Sequence, residues 1–170
     1  MKKYLDKIIL GVSIALALVA IFMMFAPAVA AKVGDTTYSG FEAAFGKSET
    51  HPLLGKLKIL DASAAILPLL LLIIGICLTV VALLGKGGII VPIAAAVVFV
   101  ISGVLYFMSG LLLSPHYYQE YYGEMFPTKS DYVKYLRENF NIGVGAIVGG
   151  VFSILAGLAA AVPVVLKKIK

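Results

Sequence analysis

Charge disappears from four stretches of this chain, residues 8–31, 62–84, 89–113 and 142–166, none of which holds an Asp, Glu, Lys, Arg or His. At about 1.5 Å of rise per residue, a helix of each length covers roughly 35 Å, enough to cross a hydrocarbon core of about 30 Å. The pattern predicts an all-α membrane protein: an antiparallel four-helix transmembrane bundle in which residues 1–170 form one integral membrane domain. Between the spans lie two polar segments, 32–61 and 114–141, read as extracytoplasmic loops containing short interfacial helices. Spans two and three are separated only by Gly85-Lys86-Gly87-Gly88, and so short a turn makes them an antiparallel hairpin.

Punctuation supports these boundaries. Pro68 and Pro92 fall in the first turns of their spans, while Pro27 and Pro163 fall near the ends of spans one and four. A proline near a helix end disrupts few backbone hydrogen bonds. Ala28-Val29-Ala30, set after a basic start and an apolar run, imitates the cleavage site of a secretory signal. The run from Ile8 to Phe25 is longer than the 7 to 15 residues of such a core, so the four-span reading is kept.

Charge fixes the expected orientation. Residues 1–7, 85–88 and 167–170 carry seven lysines against one acid, whereas the two long loops carry seven bases and eight acids. Cytoplasmic segments are enriched in Lys and Arg, so both termini are expected in the cytoplasm and both long loops outside the cell membrane.

Composition agrees with this class. The chain is 61% hydrophobic and 14% charged, against about 25% charged in an ordinary soluble domain. Its pI near 9.3 reflects lysines dispersed around the spans. They form no groove-entering or zinc-finger pattern, and no nucleic-acid partner is expected.

Span four carries the clearest packing pattern. Gly145, Gly149, Ser153, Gly157 and Ala161 recur every four residues and therefore share one helical face. Small residues let helix backbones approach closely inside a bilayer, where no water drives apolar association. The face suits another helix of the same chain, a homo-oligomer contact or a pore lining. Gly11 with Ala15 and Gly75 with Thr79 offer it partners. The hydroxyls within the spans, at Ser13, Ser63, Thr79, Ser102, Tyr106, Ser109 and Ser153, are expected to bond their own helices. Cys77, the single cysteine, is expected to be a small buried packing residue.

The loops hold the recognition chemistry. In the first, Ser39 and Glu42 have capping-box spacing, Phe41 and Phe45 stand one turn apart, and Gly46 suits a left-handed stop. They predict a turn or two of helix on the bilayer surface. Residues 32–38 read as extended, with a turn at Gly34-Asp35. Residues 53–58 are too short to assign. In the second loop Tyr117, Tyr118, Tyr121, Tyr122, Phe126, Tyr132, Tyr135 and Phe140 are interleaved with charge. Tyrosine favours the membrane interface, and exposed Tyr and Arg, here with Arg137, also dominate binding hot spots. A helix is expected from Ser130, its possible cap, with Val133, Leu136 and Phe140 on one face.

No catalytic constellation stands out. His51 and His116 would have to converge with Glu49 and Glu120 to hold a metal. The phosphate-loop, nucleophile-elbow and zinc-helix motifs are missing. Four spans with both termini inside resemble the claudin and tetraspanin groups in topology alone; with no Trp and one Cys, the chain lacks their Trp-containing and disulfide-forming loop motifs. The expectation is a non-catalytic protein without enzyme activity or cofactor. It would act as an accessory subunit or scaffold, contacting membrane lipid and a protein partner or a second copy through its outer loops. The alternative is a small oligomeric channel or transporter for an apolar or weakly polar solute.

Overall fold

The structure, a computed structural model, describes residues 2–32, 35–51, 55–118 and 123–168. The turn at Gly34, Leu53-Leu54, Glu120, Tyr121 and Tyr122 lie outside the described residues. The protein is mostly helical, at 68%, and also contains small sheets. Four helices are long and apolar enough to cross a membrane, within Tyr4–Phe25, Ala64–Leu83, Ile90–Phe107 and Val144–Leu166. The chain forms two compact units, one of residues 1–23, 67–107 and 147–170, the other of residues 24–66 and 108–146.

The first unit is helical, built from α1 (Lys2–Phe22), α3 (Leu67–Leu83), α4 (Ile90–Phe107) and the greater part of α7 (Val144–Lys168). Helices α3 and α4 pack extensively against each other. Gly85, Gly87 and Gly88, all at positive φ, make the turn between them. The inward faces are lined by small residues, Ala17, Ala20, Ala95, Ala156 and Ala160, with Phe99 and Leu72 as the large fillers. Large aliphatics such as Ile74, Val97 and Leu158 point outward. That inversion of the soluble pattern suits helices solvated by lipid, which gains nothing by burying Leu and much by close backbone approach. Cys77 is exposed on α3 and not buried as its size and apolarity suggested.

Buried hydroxyls join these helices. Ser13 donates to the Ala156 carbonyl at 2.7 Å, Ser102 to Pro68 at 2.9 Å, Ser153 to Phe99 at 2.7 Å and Tyr106 to Ala20 at 2.7 Å. These bonds link α1 to α7, α4 to α3, α7 to α4 and α4 to α1. Of the seven span hydroxyls named above, Thr79 alone bonds its own helix, through Gly75. The expectation of local bonding is thus overturned for these four, and likewise for Ser63 and Ser109, which donate to the Ala43 and Ala28 carbonyls. Small neighbours bring a second helix's carbonyl within reach of a short side chain, and a helical carbonyl keeps a lone pair for it.

The second unit gathers both loop regions. Its three-stranded antiparallel sheet has the order β2 (Thr37–Ser39), β1 (Pro27–Ala31), β5 (Phe140–Ile142). A separate hairpin pairs β3 (Lys47–His51) with β4 (Gly55–Leu60). The short helices α2 (Gly40–Phe45) and α5 (Ser109–Leu112), together with α6 (Lys129–Asn139), complete it. Val29, Ala43, Leu60, Ala65 and Leu113 form its core.

Three expected span ends are corrected here. Residues 27–31 form the central strand β1 in place of a helix end, because Pro27 supplies no amide hydrogen for a helix and the strand finds a partner on each side. Span three stops at Phe107, and Ser109 instead turns its hydroxyl to the Ala28 carbonyl at 3.1 Å. Ile142 belongs to β5 and precedes α7. The fold class is accordingly helical with small sheets, and not all-α.

Candidate interaction surface

Helix α2 forms where the spacing of Ser39 and Glu42 places it. The Ser39 hydroxyl accepts from the Glu42 amide at 3.2 Å, and the Glu42 carboxylate accepts from the Ser39 amide at 2.9 Å, a complete capping box. Gly46 ends the helix with φ +88° and ψ 160°, an extended geometry at positive φ and not the left-handed helical one. Ser63 closes the same end from a distance, its hydroxyl donating to the Ala43 carbonyl at 2.7 Å.

Gly40, Ala43 and Ala44 face the core, so the opposite side of α2 presents Phe41 and Phe45. Their rings stack with centroids 5.2 Å apart, and Phe41 stacks in turn on Phe25 at 4.6 Å. Phe25 is 64% exposed and Phe45 54%. Beside this stack Lys47 bridges Glu42 at 3.1 Å and Glu49 at 3.0 Å. Burial opposes ionisation of Glu42, but the Ser39 amide and Lys47 outweigh it and hold the carboxyl below its usual range.

A second cluster centres on Asp61, directly after β4. Its carboxylate meets Lys58 at 2.9 Å, His116 at 2.8 Å and Lys129 at 3.3 Å. Burial would raise its pKa; the three basic partners together lower it to about 2. The backbone repeats the connection: the Asp61 amide donates to Ser114 and the His116 amide to Ile59. The Tyr118 hydroxyl accepts from the Lys58 amide at 2.9 Å. Two loops 55 residues apart in sequence are clamped here. Sequence reading missed the cluster, although the alternation Lys56-Leu57-Lys58-Ile59 is a period-two strand signal that would have set Lys56 and Lys58 on one face.

The aromatic loop packs on itself. The Tyr117 hydroxyl donates to the Phe126 carbonyl, and Phe126 lies 5.4 Å from Tyr132 and 5.0 Å from Tyr135, centroid to centroid. Helix α6 is capped by Thr128, whose hydroxyl accepts from the Asp131 amide, and not by Ser130. Its far end is anchored by Arg137, which donates to the Leu111 carbonyl at 2.7 Å, and by the Lys32 ammonium, which donates to the Glu138 carbonyl. Phe140 then leaves the helix for β5, away from the face expected with Val133 and Leu136. Tyr117, Tyr118 and Arg137 therefore bind within the chain itself. Tyr135 is 49% exposed, and Met125, which sequence spacing did not single out, is 80% exposed.

The ladder of α7 meets α4. A Cβ placed on Gly149 would stand 2.7 Å from the Tyr106 ring, and one on Gly157 would stand 2.8 Å from the Ala96 carbonyl. Ser153 bonds Phe99 between them. Gly145 lies buried in the first turn of α7 and Ala161 is half-buried further along. The suggested partners do not serve: Gly11 has nothing within reach of such a Cβ, and Gly75 receives Phe99. Among the described residues, no three His, Cys, Asp or Glu side chains converge as a metal site. No family model, curated protein or solved structure matches the chain.

Proposed function

We propose that this protein is a non-catalytic multi-pass membrane protein, an accessory subunit or scaffold that recognises a partner protein and membrane lipid through its extracytoplasmic unit. In this reading the four long helices form an antiparallel bundle, with N- and C-termini in the cytoplasm. The lysine-rich ends and turn support that orientation. Pairing of β1 with β5 supports the crossings, since it requires both long loops to lie on one side of the membrane.

The observation that carries the proposal is how the polar groups of the helices are used. Ser13, Ser102, Ser153 and Tyr106 all donate to carbonyls of neighbouring helices, and the small face of α7 is occupied by side chains of α4. A solute path along that face or those hydroxyls, the transport alternative, would have to displace both. The outer unit meanwhile offers Met125 and Tyr135, residue types enriched at the centres of protein interfaces.

Mild extraction from the native membrane tests the proposal. A second protein at fixed stoichiometry, with no solute flux from vesicles containing the purified chain alone, is the expected result. Reproducible flux without a partner would refute it.

A further inference from the structure

The stacked phenylalanines point to a specific ligand. Phe25 closes the apolar stretch Tyr4–Phe25, which is long enough to span a membrane. Its ring is the first of three, with Phe41 and Phe45 following at 4.6 and 5.2 Å. The outer two rings are more than half exposed. Stacking leaves one continuous apolar ridge that begins at Phe25, the last residue of that stretch, and continues onto α2.

The short helix is fastened so that this ridge keeps its direction. A methyl on Gly40 would stand 3.2 Å from the Met24 Cα, so α2 lies directly against the backbone beside Phe25. The capping box and Ser63 fix its two ends. Glu42 points to Lys47 and not to the rings.

We infer that Phe25, Phe41 and Phe45 form a lipid-inserting wedge, with Phe45 seated at the boundary between headgroups and acyl chains of the outer leaflet. The occupant is lipid because the ridge continues a span: a ring stack beginning on Phe25 starts at the membrane surface. Apolar faces of interfacial helices settle about 5–10 Å into that boundary, where aromatic rings are favoured. The inference rests on the membrane reading proposed above and assigns the lipid contact to these rings, leaving the aromatic loop for protein recognition.

The chain contains no tryptophan, so a single substitution gives a lone indole that can be excited selectively over the nine tyrosines. Phe45→Trp keeps an aromatic ring at a half-exposed site, and Thr50→Trp on exposed strand β3 is the aqueous control. Each purified variant is reconstituted into phosphatidylcholine vesicles, with circular dichroism confirming the fold. The wedge predicts blue-shifted emission from Phe45→Trp, stronger quenching by lipids brominated high on the acyl chain than by lipids brominated deep, and weak quenching by acrylamide. Thr50→Trp should show the reverse preference for acrylamide. Equal acrylamide quenching of the two variants, or no quenching of Phe45→Trp by brominated lipid, overturns the wedge while leaving the accessory reading standing. That reading fails separately, by flux from the purified chain.

Discussion

Replacing Gly149 with alanine tests how α7 is seated on α4. The new methyl would stand 2.7 Å from Cε1 and 3.0 Å from Cδ1 of Tyr106. Real carbon contacts are nearer 3.5–4.0 Å, so the ring has to move. Tyr106 is buried, and its hydroxyl is the donor to the Ala20 carbonyl at 2.7 Å. Displacing the ring therefore strains a contact between α4 and α7 and also breaks the one between α4 and α1. Overpacking costs about 1–3 kcal/mol, partly offset by the better helix propensity of alanine, about 1 kcal/mol in water. With the broken Tyr106 hydrogen bond adding about 0.6–1.7 kcal/mol, the expected net loss is about 1–4 kcal/mol. Tyr106→Phe removes the hydroxyl alone and should cost about 0.6–1.7 kcal/mol, the range of interhelical hydrogen bonds in membranes. In the double variant the ring is free to slide, so the losses should fall short of their sum by up to the same amount. Reversible unfolding in mixed micelles, followed by circular dichroism, measures all four proteins. Additivity within about 0.3–0.5 kcal/mol, or a neutral Gly149→Ala, would refute the reasoning.

Three further outcomes follow from individual contacts. Ser153→Ala, which removes the donor to Phe99, should lose about 0.6–1.7 kcal/mol in that unfolding assay, whereas Thr79→Val, whose bond is to its own helix, should lose less. Gly143→Ala should destabilise the sheet unit by about 3 kcal/mol, the upper end of overpacking, because a Cβ there would stand 2.2 Å from the Pro27 carbonyl oxygen; faster hydrogen exchange at the Gly143 amide, which donates to Ala28, is the readout. The Asp61 carboxyl, lowered from its ordinary 3.8 to about 2, contributes stability that is complete above the ordinary value and lost as pH falls through about 2. Between those values the protection of the Asp61 and His116 amides, taken relative to the intrinsic exchange rate at each pH, should fall, and Asp61→Asn should remove that pH dependence; an unchanged protection profile would dismiss Asp61 as its source.

The sequence exposed the four apolar helices because charge is so costly in hydrocarbon that its absence over twenty residues is a strong signal. It misplaced three of their ends for the same reason. Ala28 and Val29 are uncharged because they are buried in a strand paired on both sides, and such strands read as unbroken apolar runs. Composition does not separate that case from a helix end; Pro27 was the local sign of it. The capping box at Ser39 was legible, being a contact between residues three apart. The phenylalanine stack was only half legible, since Phe25 joins it from 16 residues away in sequence. Likewise Asp61 finds His116 and Lys129 only after the second loop has folded back on the first. The helix-linking hydroxyls were visible as residues but not as bonds, because their acceptors are backbone carbonyls, which carry no sequence signature.

The central claim is that the protein works by contact at its outer unit and not by moving solute across its helices. A photo-crosslinking residue at position 125, replacing the most exposed methionine of that unit, tests it most directly in native membranes. The account predicts one discrete protein adduct that saturates with irradiation and is absent when the same residue is placed at Val97, exposed on α4. No protein adduct from position 125, together with solute flux from vesicles holding the purified chain alone, would contradict it.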